Sequence, residues 1–513
     1  MNMKRLIYLI IAIFTIISCS EDTLETNPTN KASGPVVFET VENAYTALNG
    51  MYRAFYVYGE EWVDYYEAEN SGVAALQLAA DLMGDDMVKN EPGSAWFWYD
   101  YRYWVRSEIN STGDRPYAWW NMHYKFGNNA NYLIANIDNV SGNEQEKNSI
   151  KAQAYALRAY AYFNLIRLYQ RTYIGHENDP GVPVYTQPTN NQTEGKGRGT
   201  VEEVYTQINN DLDSALILFE NATPQKHISH IDKYVAHGLK ARVALTQQNW
   251  TDAATHAAAA REKSGLTLMS TDDLLAGFNT VANNEWMWGS EVVEEQSLSW
   301  PSFWSHMDAS TGGYANSSRH CASRWLYEQI STSDIRKNWF VDPATSANES
   351  TGPDYSYNQL KFRVKQQGSW ASDLLYMRMA EMYLIEAEAQ CMLENYPEAR
   401  DLLIDLLEYK DPNISTTLST IPNGNTLNIN TAGPVNNLLD FVILQRRIEL
   451  WGEGHRVFDI QRLKTGFDRD YTGSNHSDKL TISDPESWQW IMMIPQKEFD
   501  GNVNMDPASD QNP

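Results

Sequence analysis

The sequence predicts an all-α fold of tetratricopeptide-like helical hairpins with one irregular, loop-rich subregion set among them. Three observations predict it. Apolar residues recur three and four positions apart through most of the long ordered-looking runs, which is the period of a helix with one buried face. Small residues crowd those helices, as in IKAQAYALRAYAYFNLIRLY at 150–169. A short motif also repeats: Asn249-Trp250-x-x-Ala253 returns as Asn395-Tyr396-x-x-Ala399, each time between an alanine-rich helix and another helix. An aromatic at the turn with small residues at the contacts suits stacked helical hairpins.

Composition narrows the function classes. Hydrophobic residues make up 42% of the 513, enough for a large core, and the net charge is −26. That charge argues against nucleic acid or an anionic membrane surface as partner. At the start, Lys4 and Arg5 precede an apolar run, Leu6 to Ile17, too short to span a bilayer. Residues 1–18 therefore read as a signal peptide. The run ends Ile16-Ile17-Ser18-Cys19, which resembles a bacterial lipobox, with cleavage before Cys19 and lipid on its sulfur. The alternative is an ordinary signal peptide with an incidental cysteine. Residues 19–35, polar and rich in Asn, Thr and Pro, read as a tether, and 36–513 as a single domain.

Within that domain, Val41 to Tyr56 is expected to be helical, with Ala44, Leu48, Met51 and Phe55 on one face, and Ala74 to Leu82 gives a second helix. Gly84 to Trp104 reads as a long loop centred on Pro92-Gly93. Helices follow over Trp119–Val140 and Ile150–Tyr169, and Thr200-Val201-Glu202-Glu203 opens another to about Phe219 with a cap-like pattern. Four hairpins result: 119–169, 150–219 sharing its middle helix, 234–262 and 374–408. The segment from about 270 to 370 is irregular, with a short strand expected at Tyr357 to Val364. Phe441 to Leu463 reads as two helices broken at Gly452 and Gly454, with Phe441, Leu444, Ile448 and Trp451 forming an apolar stripe. Arg446, Arg447, Glu449, Glu453, Arg456 and Asp459 sit beside that stripe. Charges so close to a core need partners, so a paired ionic network is expected.

Catalytic motifs are missing: there is no HExxH, GxSxG or P-loop, and GKGRG at 195–199 has no strand before it. No cofactor or metal is expected, although His227, His230 and His237 are candidates to line a metal site. Asp85-Asp86 and Glu294-Glu295 carry no glycosidase signal in a chain with 66 acidic residues. Cys321 and Cys391 either pair or stay free; Cys391, among Ala387, Ala389 and Met392, reads as a buried thiol. Aromatic placement is more informative. Trp96 to Trp104 crowds a loop with rings, and Trp286, Trp288, Trp300, Phe303, Trp304 and Tyr314 form a second group in the irregular segment. For each the alternative is the core, since Trp300, Phe303 and Trp304 also fit one helical face. As a set they lie on connections, where binding residues concentrate. Trp96, Trp98, Trp300 and Trp304, with Tyr314 outermost, are the candidate ligand-binding residues. Flat rings suit the CH-bearing faces of sugars.

The run RRIELWGEGHRVFDIQRL at 446–463 resembles the C-terminal signature of the SusD/RagB family, glycan-capturing outer-membrane lipoproteins of Bacteroidetes. LRAYAYFNLIRLY at 157–169 with Gly181-Val182-Pro183-Val184 is a second such block. The ending, Ile494-Pro495-x-x-Glu498, Asn504 and Gln511-Asn512-Pro513, is a third. Gln445 departs from the pattern, where many members carry Glu. The resemblance implies that Arg447, Glu449, Glu453, Arg456 and Asp459 are structural and that the two aromatic regions supply a glycan platform. It implies a SusC-like TonB-dependent transporter as partner, with this protein as its lid. It implies a lipid-anchored, surface-exposed place on the outer membrane, Ser20-Glu21-Asp22 resembling the export signal. Two rivals are a peptide-capturing surface lipoprotein of the same fold and a surface hydrolase, which needs two cleft carboxylates at catalytic separation; Glu449, Glu453 and His455 are the alternative, catalytic reading of the C-terminal motif.

Overall fold

The computed structural model describes residues 38–57, 68–104, 114–346 and 355–513. The signal segment, the tether and Cys19 lie outside them. Among the described residues no helix is long and apolar enough to cross a membrane.

The chain enters as α1 (Val41–Arg53), where Thr40 caps the first turn by accepting from the Asn43 amide, and α2 (Gly72–Leu82) follows. Then come β1 (Met87–Lys89), the single turn α3 (Trp98–Tyr101), and the long helices α4 (Asp114–Asn136) and α5 (Glu144–Tyr169). Helix α6 (Val201–Phe219) begins with a capping box in which Thr200 and Glu203 bond each other's backbone amides. Next are α7 (Lys233–Thr246) and α8 (Trp250–Arg261), separated by the Asn249 cap. The middle of the chain holds β2 (Trp286–Ser290), α9 (Phe303–Met307), β3 (His320–Ala322) and β4 (Leu374–Arg378). After β4 come α10 (Met379–Met392), α11 (Tyr396–Leu407), α12 (Leu438–Glu449) and α13 (Arg456–Leu463), and short strands and single helical turns carry the chain on to its C-terminus.

The fold is mostly helical, and the pairs α4–α5, α5–α6, α7–α8 and α10–α11 pack side by side as hairpins. One buried apolar cluster runs from Val41 to Met505 through all of them. Helix α5 sits at its centre because its alanines let α4 and α6 approach closely while Leu157, Phe163, Leu165 and Leu168 fill the space between.

Three expectations need correction. The stretch from Gly84 to Trp104 is not simply a loop: β1 pairs antiparallel with β3, and Phe97, Tyr101 and Tyr103 are buried. Tyr357 to Val364 forms no strand and contributes only isolated bridges at Asn358 and Gln359. The strand lies instead at Leu374–Arg378, where a helix was expected, paired with β2. All five of its residues are buried, and a short apolar run covered on both faces carries no period to separate strand from helix. Cys321 in β3 and Cys391 in α10 are both buried and unjoined, and burial pushes each thiol up to about 12.

Candidate functional site

The turn between α12 and α13 is built on Gly452 and Gly454, both in the left-handed region at φ +81° and +84°. A Cβ on Gly452 would meet the Phe362 ring at 2.4 Å, and one on Gly454 would meet Gln77 at 2.6 Å, so neither position admits a side chain. The turn delivers Glu449 and Glu453 to buried Arg378, which bonds both carboxylates and Glu285 at 2.7–3.1 Å. Lys361 reaches Glu453 at 2.6 Å, Lys410 reaches Glu449 at 2.7 Å, and Arg336 joins Glu449, Asp334 and Gln445. Burial alone would raise the Glu449 carboxyl; the charges of Lys410, Arg378 and Arg336 hold it well below the usual range. Nearby, Arg446 and Arg462 share Asp459 at 2.7 and 2.8 Å.

A second fork points the other way along the chain. Arg447 clasps Asp86 at 2.6–3.1 Å, and Arg456 clasps Asp85 at 2.6 Å. Asp85 and Asp86 immediately precede β1, so the ionic cluster fixes the strand whose partner β3 flanks the loops described next. Glu449, Glu453, Asp85 and Asp86 are all buried and paired with cations.

Three of the five candidate aromatics come together. Tyr314 lies between Trp96 and Trp300, with ring centroids 6.2 and 5.3 Å away and interplanar angles of 67° and 64°. Trp300 is 51% exposed, and Trp96 and Tyr314 are half-buried. Beneath, Tyr314 stacks on the buried His306 ring at 4.9 Å, and Phe97 meets His306 edge-on. Burial, with the charge of Lys89, pushes His306 down to about 3, so it is a neutral support. The backbone is strained where the indoles are presented. Ala95 and Phe97, on either side of Trp96, and Ser299, before Trp300, all adopt φ between 55° and 69°. Non-glycine residues held there cost about 1–2 kcal/mol each, and such strain gathers at functional sites.

The other two depart from the expected platform. Trp304 is 2% exposed; its indole N–H donates to the Ser372 carbonyl at 2.8 Å and its ring packs on Phe303. It is a core residue, because the five-residue α9 starts at Phe303 and turns its side chain inward while Trp300 stays on the loop outside. Trp98 is half-buried and rests on Tyr101 and Arg102, apart from the three-ring group. Trp286 and Trp288 are also core, Trp288 meeting Phe55, Tyr160 and Tyr376 within 5.5 Å. Sequence reasoning missed Trp370: its ring tip lies 2.6 Å from where a Cβ on Gly313 would stand, beside Tyr314. A lone tryptophan in an irregular segment carries no signal of that neighbourhood.

His227 and His230 meet at the Ser229 hydroxyl, 2.8 and 3.1 Å from their Nδ1 atoms, while His237 pairs with His256. Among the described residues no three metal-ligating side chains are grouped.

Comparison with known proteins bears on the fold as a whole. A family model described as "Starch-binding associating with outer membrane" matches residues 65–245, and the SusD family model matches 278–513. SusD-like protein P2 of Formosa agariphila is 23% identical over 98% of this chain and 99% of its own length. Among solved structures, a SusD-like carbohydrate binding protein from Bacteroides vulgatus superposes with a TM-score of 0.74 at 28% identity, covering 91% of this chain and 98% of that one. The surface glycan-binding protein A from Bacteroides fluxus superposes at 0.67 with 18% identity, over 93% and 99% of the two chains.

Proposed function

We propose, from the premise that the chain belongs to the SusD/RagB family, that it is a non-catalytic glycan-binding protein whose site is the Trp96–Tyr314–Trp300 surface. The observation that carries this reading is three rings from three separate segments, residues 96, 300 and 314, meeting at a surface, one of them half exposed, with strained backbone at the two indoles. Tilted rings present several apolar faces to a chain of sugars, and the exposed Asn316 and Ser317 beside Tyr314 supply polar groups for hydroxyls. In this reading the hairpins form one tetratricopeptide-like scaffold over 36–513, anchored to the outer-membrane surface through lipid on Cys19. It captures oligo- or polysaccharide and hands it to a SusC-like TonB-dependent transporter, which it covers as a lid. The relatives' names, one a carbohydrate binding protein and one a glycan-binding protein, support the ligand class.

The test is a panel of glycans and peptides titrated against purified protein, with product analysis. Glycan binding without product, lost on Trp300→Ala, is the expected result. Binding of peptides alone, or cleavage of any ligand, would overturn the reading.

A further inference from the structure

Among the described residues, Arg53 is the one arginine whose guanidinium makes no hydrogen bond and no ion pair; its Nη1 is buried without a partner. It lies over the Tyr56 ring at 4.3 Å. In a chain with 66 acidic and 40 basic residues a carboxylate is easy to find, and the other described arginines all have hydrogen-bond partners, so this bare cation stands out. It ends α1 and lines a pocket of about 650 Å³ with Asn49, Tyr56, Ser290, Glu291 and Gln296.

The hydrogen-bonding capacity left over in that pocket is biased toward donors. The Tyr56 hydroxyl donates to Gln296 Oε1 at 3.0 Å, which leaves the Gln296 amide nitrogen free. His230 Nε2 meets Asn49 Oδ1 at 2.7 Å, which leaves the Asn49 amide nitrogen free. Glu291, the one acid among the described residues of the wall, meets His227 Nε2 at 3.2 Å. A cation with no ion pair among the described residues, flanked by two spare amide donors, complements an oxyanion, and the planar guanidinium fork matches a carboxylate or sulfate.

We infer that this pocket binds an anionic sugar substituent, the carboxylate of a uronic acid or a sulfate ester. Val293 and Gln296 of its wall and Trp300 of the aromatic surface belong to the same 291–300 loop. A charged glycan engaging both sites at once rests on the glycan reading; occupancy of the pocket by the anion does not.

The test titrates inorganic sulfate, galacturonate, galactose 6-sulfate and neutral galactose into wild type, Arg53→Gln, Gln296→Ala and Trp300→Ala by calorimetry, with melting curves as the folding control. The anions should bind wild type and galactose should not. Arg53→Gln, folded, should weaken the anions by about tenfold or more, the worth of a charge-assisted pair. Gln296→Ala should weaken them several-fold with the charge still present, and Trp300→Ala should leave them unchanged. Preference for galacturonate assigns a carboxylate, and preference for galactose 6-sulfate a sulfate ester. Anion binding that is absent, or equal in wild type and Arg53→Gln, overturns the inference. Loss of neutral glycan binding alone bears on the aromatic surface and leaves this site standing.

Discussion

Replacing Trp300 by alanine removes a ring that is half in water and has Tyr314 as its ring neighbour. Its contacts with a ligand exist only when the ligand is bound, so affinity should fall about fivefold, at roughly 1 kcal/mol per stacked ring. The melting temperature should barely move. Trp304→Ala should do the reverse. It empties a buried site and strands the Ser372 carbonyl, costing about 3–5 kcal/mol of stability. Measuring glycan affinity and thermal melting for both variants decides between them: a Trp300→Ala protein that melts much lower, with unchanged affinity, would remove Trp300 from the site.

At the scale of elements, the turn between α12 and α13 acts as a clamp. Arg447 holds Asp86 at the mouth of β1, and Glu453 holds Arg378 at the end of β4. Arg447→Ala or Glu453→Ala leaves a buried partner charge uncompensated, at a cost of about 3–5 kcal/mol. Both variants should lower yield and melting temperature before they touch ligand binding. Urea denaturation is the check, and an unaltered midpoint would mean the pairs contribute nothing to the fold. Because β1 pairs with β3 between the two aromatic loops, a partly folded Arg447→Ala protein should also lose protection from amide exchange at Val88 and Cys321.

For the whole molecule, the buried titratable groups set the response to acid. Burial pushes His306 to about 3 and His455 to about 4, from an ordinary 6.5. Burial alone would raise Glu381, yet Arg242 and His455 hold it near 2. In each case the unfolded chain binds protons that the folded one refuses. The histidine contribution is therefore lost as the pH falls from 6.5 toward 3, and the Glu381 contribution as it falls from 4.5 toward 2. Asp81 runs opposite: burial raises it to about 7, so its share of the stability falls as the pH rises from 3.8 to 7. The net expectation is a melting temperature that drops steeply below about pH 4.5, where the depressed carboxylates act together. A flat profile there would contradict the buried network. Cellular placement is tested separately: Cys19→Ala should release the protein from the membrane fraction, and wild type that is already soluble would end the lipoprotein proposal.

The sequence by itself determined the long helices and their pairing. Residues such as Leu157, Ala161, Leu165 and Leu168 repeat at the helical period over many turns, and caps such as Thr200 with Glu203 act within four residues. These signals are local, so a linear reading recovers them. The charged cluster at 446–459 was legible as a network for a similar reason, since charges beside an apolar stripe must be paired. Its partners were not legible: Asp85, Asp86, Lys361 and Arg378 arrive from up to several hundred residues away. Only the tertiary structure decided which of the rings meet at the surface. Strands of three to five residues show no period, so nothing in the chain announced that β1 would meet β3 and bring residue 96 beside residue 314. Trp300 and Trp304 are the same residue type four positions apart, and a single helical turn starting at Phe303 sends one to solvent and the other to the core. Composition could nominate both rings; the direction of each side chain is a property of the packed backbone.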